Sequence, residues 1–501
     1  MKNIILNRLA KLGALLLVLA FGACDEVDKD AVFTDDNLQT AIQFMENDPE
    51  GRFEEWLKVI EASDYYGMVN ARGSYTFLIC ENEGVQSFLG NRSLESMEKA
   101  EVNLLVKSNI VMTDYFSYTL NQGPMGDTTM NGNYLTVMFG AGGFSNMLVN
   151  QKSKIVNRDI ECSNGVVHIL DKPVEPIGQG VHGTLVDIGE FGIFAEAVEK
   201  AGLVDTLDLM TTPEGKKVRY TVYAETDQAF AKKGVKDFAG LVEFLGAGTD
   251  YTSRTNELHR FVRHHIISGK KYSNRLASDI ILTAGGTMVR LDKSQELSQV
   301  FVNPEYDIFE EVIPEESNRL DLGRLDYQSK NAVIHALEDV LTIKELAPAT
   351  VYDDMGAVPE LDEYRWDAKY KEYRFWVKDV ERWRGEGYDK FAYRYYTHIG
   401  GLHESDNFIC YSSSSGWFEF ETKPILKGKY EVSLRVGDTR SEGSYKVYMD
   451  DVLCKNVMPP RAGSFVLGEY EFDKNEPHVI RLESFTGGRL ALDVFVFKPV
   501  N

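Results

Sequence analysis

One pattern occurs twice in this chain, and that repetition restricts its fold more than any other feature. Phe53, Trp56, Leu57 and Ile60 stand at i, i+3, i+4 and i+7, and Phe191, Phe194, Ala195 and Val198 repeat that spacing 138 residues later. Apolar residues at this spacing form one stripe of a helix and leave Glu and Lys to the other side. A run of β-branched and aromatic residues follows each helix, at 74–79 and at 219–224, and reads as a strand. Thr76 and Thr221 in these runs lie 145 apart. Asn164-Gly165-Val166-Val167-His168 returns as Asn331-Ala332-Val333-Ile334-His335, 167 residues on. The order is kept and the offset only grows, so the chain carries two copies of one domain, with insertions in the second. The growth of 22 residues between offsets 145 and 167 is expected around Asp292 to Gln328.

With these residues in view, the two units resemble fasciclin (FAS1) domains. The run Thr221-Val222-Tyr223-Ala224-Glu225-Thr226-Asp227-Gln228-Ala229-Phe230 is similar to the family's first motif, and Thr76-Phe77-Leu78-Ile79-Cys80-Glu81-Asn82-Glu83 is a more worn version. The second motif, a Val-rich strand with Asn-Gly and His, is present in both copies. The resemblance implies two domains, 34–177 and 186–346, each a β-sandwich-like wedge with helices, in a family of extracellular adhesion modules. Between its motifs the family carries a Tyr-His pair proposed as a contact site. Here those positions hold His264-His265 and Ser108-Asn109, and the Tyr is missing from both copies.

The same residues have a plain structural reading. Thr76 and Thr221 open buried strands. Asn82 and Asp227 follow a strand and precede a helix, where an Asx side chain is expected to cap that helix. His168, His335 and His265 sit among apolar residues, where an imidazole is expected to be a satisfied core group; Asn109 occupies the matching place in the first copy.

The first residues point to export. Lys2, Arg8 and Lys11 precede an apolar stretch from Leu12 to Ala23, too short for a membrane span of about 20 residues. Phe21-Gly22-Ala23-Cys24 resembles a bacterial lipobox, which implies removal of residues 1–23 and acylation of Cys24. Asp25, Glu26, Asp28 and Asp30 follow in a tether, 24–33, similar to the surface-export signal of Bacteroidota lipoproteins. The expected location is the outer membrane, with Cys24 held by lipid. Loss of three basic residues takes the formal charge from −23 to −26, a field that repels phosphate backbones and excludes nucleic acid as a partner. Cys80, Cys162, Cys410 and Cys454 form no CxxC or zinc spacing, and their pairing stays open.

Beyond residue 346 the character changes. Residues 347–365, with two prolines and mixed small and acidic residues, read as a linker. The stretch 366–501 reads as an all-β sandwich of short alternating strands, so the fold class expected for the whole chain is α+β. Its phrases Trp417-Phe418-Glu419-Phe420, Lys427-Gly428-Lys429-Tyr430 and Val447-Tyr448-Met449-Asp450 are similar to galactose-binding-like jelly rolls, a fold shared by many carbohydrate-binding modules. Trp366, Trp376, Trp383 and Trp417 are candidate sugar-stacking residues, because an aromatic face covers the apolar face of a pyranose. Core packing competes for them. Trp417 and Glu419 share one strand face, and Phe418 and Phe420 share the other.

No HExxH, GxSxG, GxxxxGK[ST] or strand-borne GxGxxG occurs, and no EF-hand spacing. Neither a catalytic residue, a metal nor a cofactor is expected. Asp127-Thr128-Thr129 and Asp205-Thr206-Leu207 resemble a short O-glycosylation sequon. The expected function is surface-anchored binding and adhesion, toward an extracellular polysaccharide or a partner in an outer-membrane glycan-uptake complex. A protein–protein adhesin and a cryptic glycan-processing enzyme are the alternatives. Metabolic labelling with palmitate is expected to mark the chain and to fail in Cys24→Ala; an unlabelled wild-type chain would remove the anchor.

Overall fold

The computed structural model describes residues 38–500 except 141, 216, 297, 307–310, 362–371, 388–390, 396–405, 413–415, 438–443, 459–462, 485 and 487. The leader, Cys24 and Trp366 therefore lie outside the described residues. The chain is α+β and divides into two compact units between Pro176 and Ile177.

The first unit contains helices α1 (Ala41–Glu46), α2 (Glu54–Ala62), α3 (Tyr66–Val69), α4 (Asn82–Leu89) and α5 (Lys99–Ser108). Its strands are β1 (Tyr75–Cys80), β2 (Ile110–Val111), β3 (Gly123–Thr128), β4 (Tyr134–Phe139), β5 (Met147–Val149), β6 (Ser153–Cys162) and β7 (Gly165–Leu170). Of the stripe expected from the sequence, Phe53, Trp56 and Ile60 are buried and Leu57 is half-buried against the core, while Val59 is buried as well; Glu54 and Glu55 stand at the positive end of α2. That stripe packs on Phe77 and Ile79 in one core. β1 and β7 run parallel, with Thr76 opposite Val166 and Leu78 opposite His168. Both strands are buried beyond their first residue, as parallel strands covered on two faces must be. Gly165 opens β7 at φ +142, where a Cβ would stand 1.9 Å from the Tyr75 carbonyl oxygen, so glycine is required there. The seven strands form one sheet in the order β2-β1-β7-β6-β5-β4-β3.

The second unit begins with the other copy. Its helices are α6 (Val181–Ile188), α7 (Gly192–Lys200), α8 (Val204–Asp208), α9 (Asp227–Lys232), α10 (Phe238–Leu245) and α11 (Glu257–His264). Its strands are β8 (Tyr220–Glu225), β9 (Ile266–Ser268), β10 (Asp279–Leu282), β11 (Met288–Ser294), β12 (Gln299–Val302), β13 (Asn318–Arg319), β14 (Tyr327–Gln328) and β15 (Ala332–Leu337). β8 and β15 repeat the parallel pairing, with Thr221 opposite Val333 and Tyr223 opposite His335. The single sheet of the first copy is here two four-stranded sheets, β14-β15-β8-β9 and β10-β11-β12-β13. In the first copy β6 is long enough to pair with both β5 and β7. Its counterpart in the second copy is interrupted and survives as β13 and β14.

The insertion is not confined to the stretch 292–328. Residues at equivalent places in the two copies trace it: the strand ends Cys80 and Glu225 are 145 apart, Asn109 and His265 are 156 apart, and Asp159 and Asp326 are 167 apart. Half of the growth enters among the helices before His265, and half enters later. Asn150 and Asn303, each accepting a neighbouring strand's N–H, are 153 apart, so three residues are lost between His265 and Asn303 and 14 enter after it.

The remaining strands are β16 (Val351–Asp354), β17 (Glu372–Phe375), β18 (Trp383–Glu386), β19 (Phe391–Tyr395), β20 (Asp406–Ser412), β21 (Trp417–Glu421), β22 (Gly428–Val436), β23 (Tyr445–Met449), β24 (Val452–Met458), β25 (Gly463–Phe472), β26 (Val479–Ser484) and β27 (Gly488–Pro499). They form a sandwich of two sheets, β17-β19-β20-β27-β22-β25 with β16 beside β27, and β18-β21-β26-β23-β24. The expected linker 347–365 is thus corrected. Val351 pairs with Phe497 and Asp354 with Val494, and Val351, Met355 and Val358 are buried in the sandwich core. A short strand with one apolar face, hidden among prolines and acids, is hard to see before its partner is known. Ile280 and Met288 of the second copy join the same core.

Among the described residues the aromatic density at the C-terminus is mostly packing. Trp383 sits with Phe375 and Phe418 at ring-centroid distances of 5.5 and 5.6 Å, and Phe420 meets Phe495 at 5.0 Å. Trp383 is 3% exposed and Trp376 is 43% exposed. Trp383→Ala is therefore expected to cost about 3–5 kcal/mol in urea unfolding, and Trp376→Ala less than about 0.5 kcal/mol. Equal effects would show that the burial is misassigned.

Candidate functional site

The motif residues of the two copies hold the same bonds. Thr76 Oγ1 donates to the Thr113 carbonyl and accepts the Tyr115 N–H, both at 2.7 Å. Thr221 Oγ1 does the same with Gly269 at 2.7 Å and Lys271 at 2.9 Å. His168 Nδ1 accepts the Asp159 N–H at 3.2 Å, and its Nε2 donates to the Tyr115 carbonyl at 2.8 Å. His335 repeats this with Asp326 at 3.2 Å and Lys271 at 2.8 Å. A backbone N–H can only donate and a carbonyl can only accept, so both rings are neutral with the proton on Nε2. Asp159 and Asp326, both at positive φ, each grip a serine by its N–H and hydroxyl, Ser117 and Ser273.

Asn82 and Asp227 do not cap the helices they begin. Asn82 Oδ1 accepts the Glu55 N–H at 2.9 Å, and Asp227 Oδ1 accepts the Ile193 N–H at 2.9 Å. Each answers the first turn of the long amphipathic helix before it in sequence, α2 or α7. The cap of α9 is Thr226, whose hydroxyl accepts the Ala229 N–H at 3.1 Å. Standing one residue inside its own helix, an Asx side chain points away from that helix's free N–H groups and toward the neighbour's.

Asn109 and His265 occupy one place with different chemistry. Asn109 Nδ2 donates to the Leu105 carbonyl at 2.8 Å and its Oδ1 accepts the Val174 N–H at 2.8 Å. His265 Nδ1 donates to the Phe261 carbonyl at 2.7 Å, while its Nε2 lies 2.8 Å from Glu225 Oε1. His264 is also buried, with Nδ1 at 2.5 Å from Thr287 Oγ1.

The sandwich carries the candidate binding face. Strand alternation sends Phe418 and Phe420 into the core and leaves Trp417 and Glu419 outside on β21. On the adjacent β26, Arg481 lies directly opposite Glu419. Its guanidinium carbon stands 4.7 Å from the Trp417 ring centroid, and its Nη1 lies 3.3 Å from Glu419 Oε1. Tyr448 of β23 is opposite Arg481 on the same outer face. Such a cation–π contact contributes about 0.5–1 kcal/mol when exposed. Its larger effect is to fix the indole beside an acceptor and a donor. Of the four expected tryptophans, then, Trp417 is built into a polar face, Trp376 is exposed elsewhere, Trp383 is core and Trp366 is outside the described residues. Arg481 and Tyr448 escaped the sequence reading because the strands that carry them, β26 and β23, are remote from β21 in the chain.

Among the described residues no group of three or more His, Cys, Asp or Glu is placed to hold a metal ion, and no helix is long and apolar enough to cross a membrane. Cys80, Cys162 and Cys454 are free thiols. Burial pushes the Cys162 thiol up to about 11 and Cys80 still higher.

Burial also lowers the pKa of His168 and His335 below the ordinary value of 6.5. Burial first, then the charge of His265, holds His264 at about 3. The unfolded chain therefore takes up protons below pH 6.5 that the fold refuses. The stabilisation is whole above that pH and is lost as the pH falls from 6.5 toward about 3. The urea midpoint is expected to drop between pH 7 and 5, with each such histidine removing roughly 1 kcal/mol per pH unit. A midpoint independent of pH in this range would contradict the neutral assignment.

The family model described as the fasciclin domain matches residues 51–176 and 189–343. No curated protein matches the chain. Among solved structures, it is similar to the FAS1 domain pair of the insect cell adhesion molecule fasciclin I, at 16% identity over 58% of this chain and 97% of that one, TM-score 0.29. It is also similar to a family 35 carbohydrate binding module from Clostridium thermocellum, at 12% identity over 26% of this chain and 98% of that one, TM-score 0.19. A third is the C-terminal CBM6 of LamC, a laminarinase from Zobellia galactanivorans, at 9% identity over 25% of this chain and 98% of that one, TM-score 0.18. The two repeats, matched across more than half of the sequence, place the chain in the fasciclin family.

Proposed function

We propose that this is a surface lipoprotein, anchored through Cys24, that binds and does not catalyse, and that its C-terminal sandwich recognises an extracellular glycan. The observation that carries this reading is the outer face of β21, β26 and β23. Among the described residues most of the large aromatics of the sandwich lie in its core, yet Trp417 is held outside by Arg481 beside Glu419 and Tyr448. A fixed aromatic surface flanked by hydrogen-bonding groups is what a pyranose needs, since one side of the sugar is apolar and its rim is hydroxylated. Outer-membrane placement, and partnership with glycan-uptake machinery, belong to the same proposal.

A protein–protein adhesin is the second reading. It is favoured by apolar side chains on the surface of the first fasciclin domain, where Tyr118 is 74% and Val156 54% exposed. Arg158 lies over the exposed Phe144 ring at 4.4 Å in that domain.

A glycan-array screen of the chain from Asp25 to Asn501 separates the two. A shorter piece beginning at Glu360 would lack β16 and is unsuitable. Saturable glycan binding that weakens at least about tenfold in Trp417→Ala, equal to some 1.4 kcal/mol, is the expected result. Binding that survives this substitution would move the site elsewhere. No binding at all would leave the adhesin reading in place.

A further inference from the structure

The two fasciclin domains solve one buried bonding problem in different ways, and the difference is a proton. In the first domain the Val174 N–H and the Leu105 carbonyl are both satisfied by the neutral amide of Asn109. Their counterparts in the second domain are the Leu341 N–H and the Phe261 carbonyl. Leu341 donates to Glu225 Oε1 at 2.9 Å, and Phe261 accepts from His265 Nδ1 at 2.7 Å. Between them His265 Nε2 faces the same Oε1 at 2.8 Å, and both side chains are fully buried. The Phe261 carbonyl claims the Nδ1 proton. A second proton must therefore lie between Nε2 and Oε1, or two lone pairs would meet with no water to separate them. In the first domain Cys80 stands where Glu225 does, and no such proton is needed.

We propose that His265 and Glu225 form a proton-dependent latch that fastens the segment leaving the second fasciclin domain for the sandwich. Leu341 lies just beyond β15, and the chain becomes β16 of the sandwich at Val351. Removing the shared proton drives Oε1 away from Nε2 and takes the acceptor from the Leu341 N–H. The other groups packed on the His265 ring are the uncharged Phe194 of α7 and Phe261 of α11, with centroids at 5.3 and 4.4 Å, and His264 at 5.9 Å. Glu225 and His264 are the ionisable side chains in contact with it among the described residues, and His264 is neutral. Raising the pH therefore loosens the latch, while the matching contact in the first domain is unaffected.

Two measurements on the wild-type chain test this. Nitrogen-15 spectra of the imidazoles at neutral pH, read with the carbon-13 shift of the Glu225 carboxyl, are expected to show one proton shared between Nε2 and Oε1; an unprotonated Nε2 beside an ionised carboxylate would overturn the proposal. Amide exchange supplies an internal control, because Leu341 and Val174 do equivalent work in one molecule. As the pH is raised, the Leu341 rate is expected to climb relative to Val174 by up to about tenfold per pH unit, the limit for one proton. A constant ratio would overturn it. The double substitution Glu225→Cys with His265→Asn transplants the first domain's arrangement and is expected to make the ratio constant; a ratio that still climbs with pH would show that another group is responsible.

Discussion

Two parallel strands buried on both faces cannot send the backbone at their ends to water, so side chains must answer the groups left over. In each copy the pairing of β1 with β7, or β8 with β15, depends on that supply. Asn164 donates to the carbonyls of Val69 and Ala71 at 2.7 and 3.1 Å. Asn331 does so to Leu207 and Leu209 at 2.7 and 2.8 Å. The threonines bond at the same end of each pair, and the histidines, with their aspartate partners, hold its middle. The asparagines, threonines and histidines are buried, and an unanswered partner costs about 1–3 kcal/mol. The helices and outer strands could be repacked more easily than these few residues could be moved.

This explains how much of the molecule was legible in the sequence. The spacing of Phe53, Trp56, Leu57 and Ile60 is local, and the helix it implies is present with Phe53, Trp56 and Ile60 inward and Leu57 at the edge of the core. The Thr and Asn-x-x-x-His elements recur because their bonding roles recur, so the repeat, the α+β class and the structural reading of His168 and His335 could be taken from text alone. The alternation Trp417-Phe418-Glu419-Phe420 likewise sorted the faces of β21 before any partner strand was known.

What failed to show was whatever depends on a partner distant in the chain. Asn82 and Asp227 sit where an Asx residue caps the helix that follows, yet their acceptors meet a helix already passed. The motif offsets 145 and 167 only bracket the insertion in the second copy, and the equivalent pairs between them divide it. Trp383 and Trp376 have similar sequence surroundings and opposite fates. Their difference is decided by strands that arrive more than thirty residues later, Trp417–Glu421 among them.

β16 bears on how the molecule would carry load. The backbone enters the sandwich through this strand, and its four cross-strand pairs join it to β27, which also pairs with β20 and β22. Tension along the chain is thus delivered to the middle of a sheet and not to a slack tether. Extension under force begins only after that ladder parts, so the connection between the second fasciclin domain and the sandwich behaves as a stiff joint with a threshold.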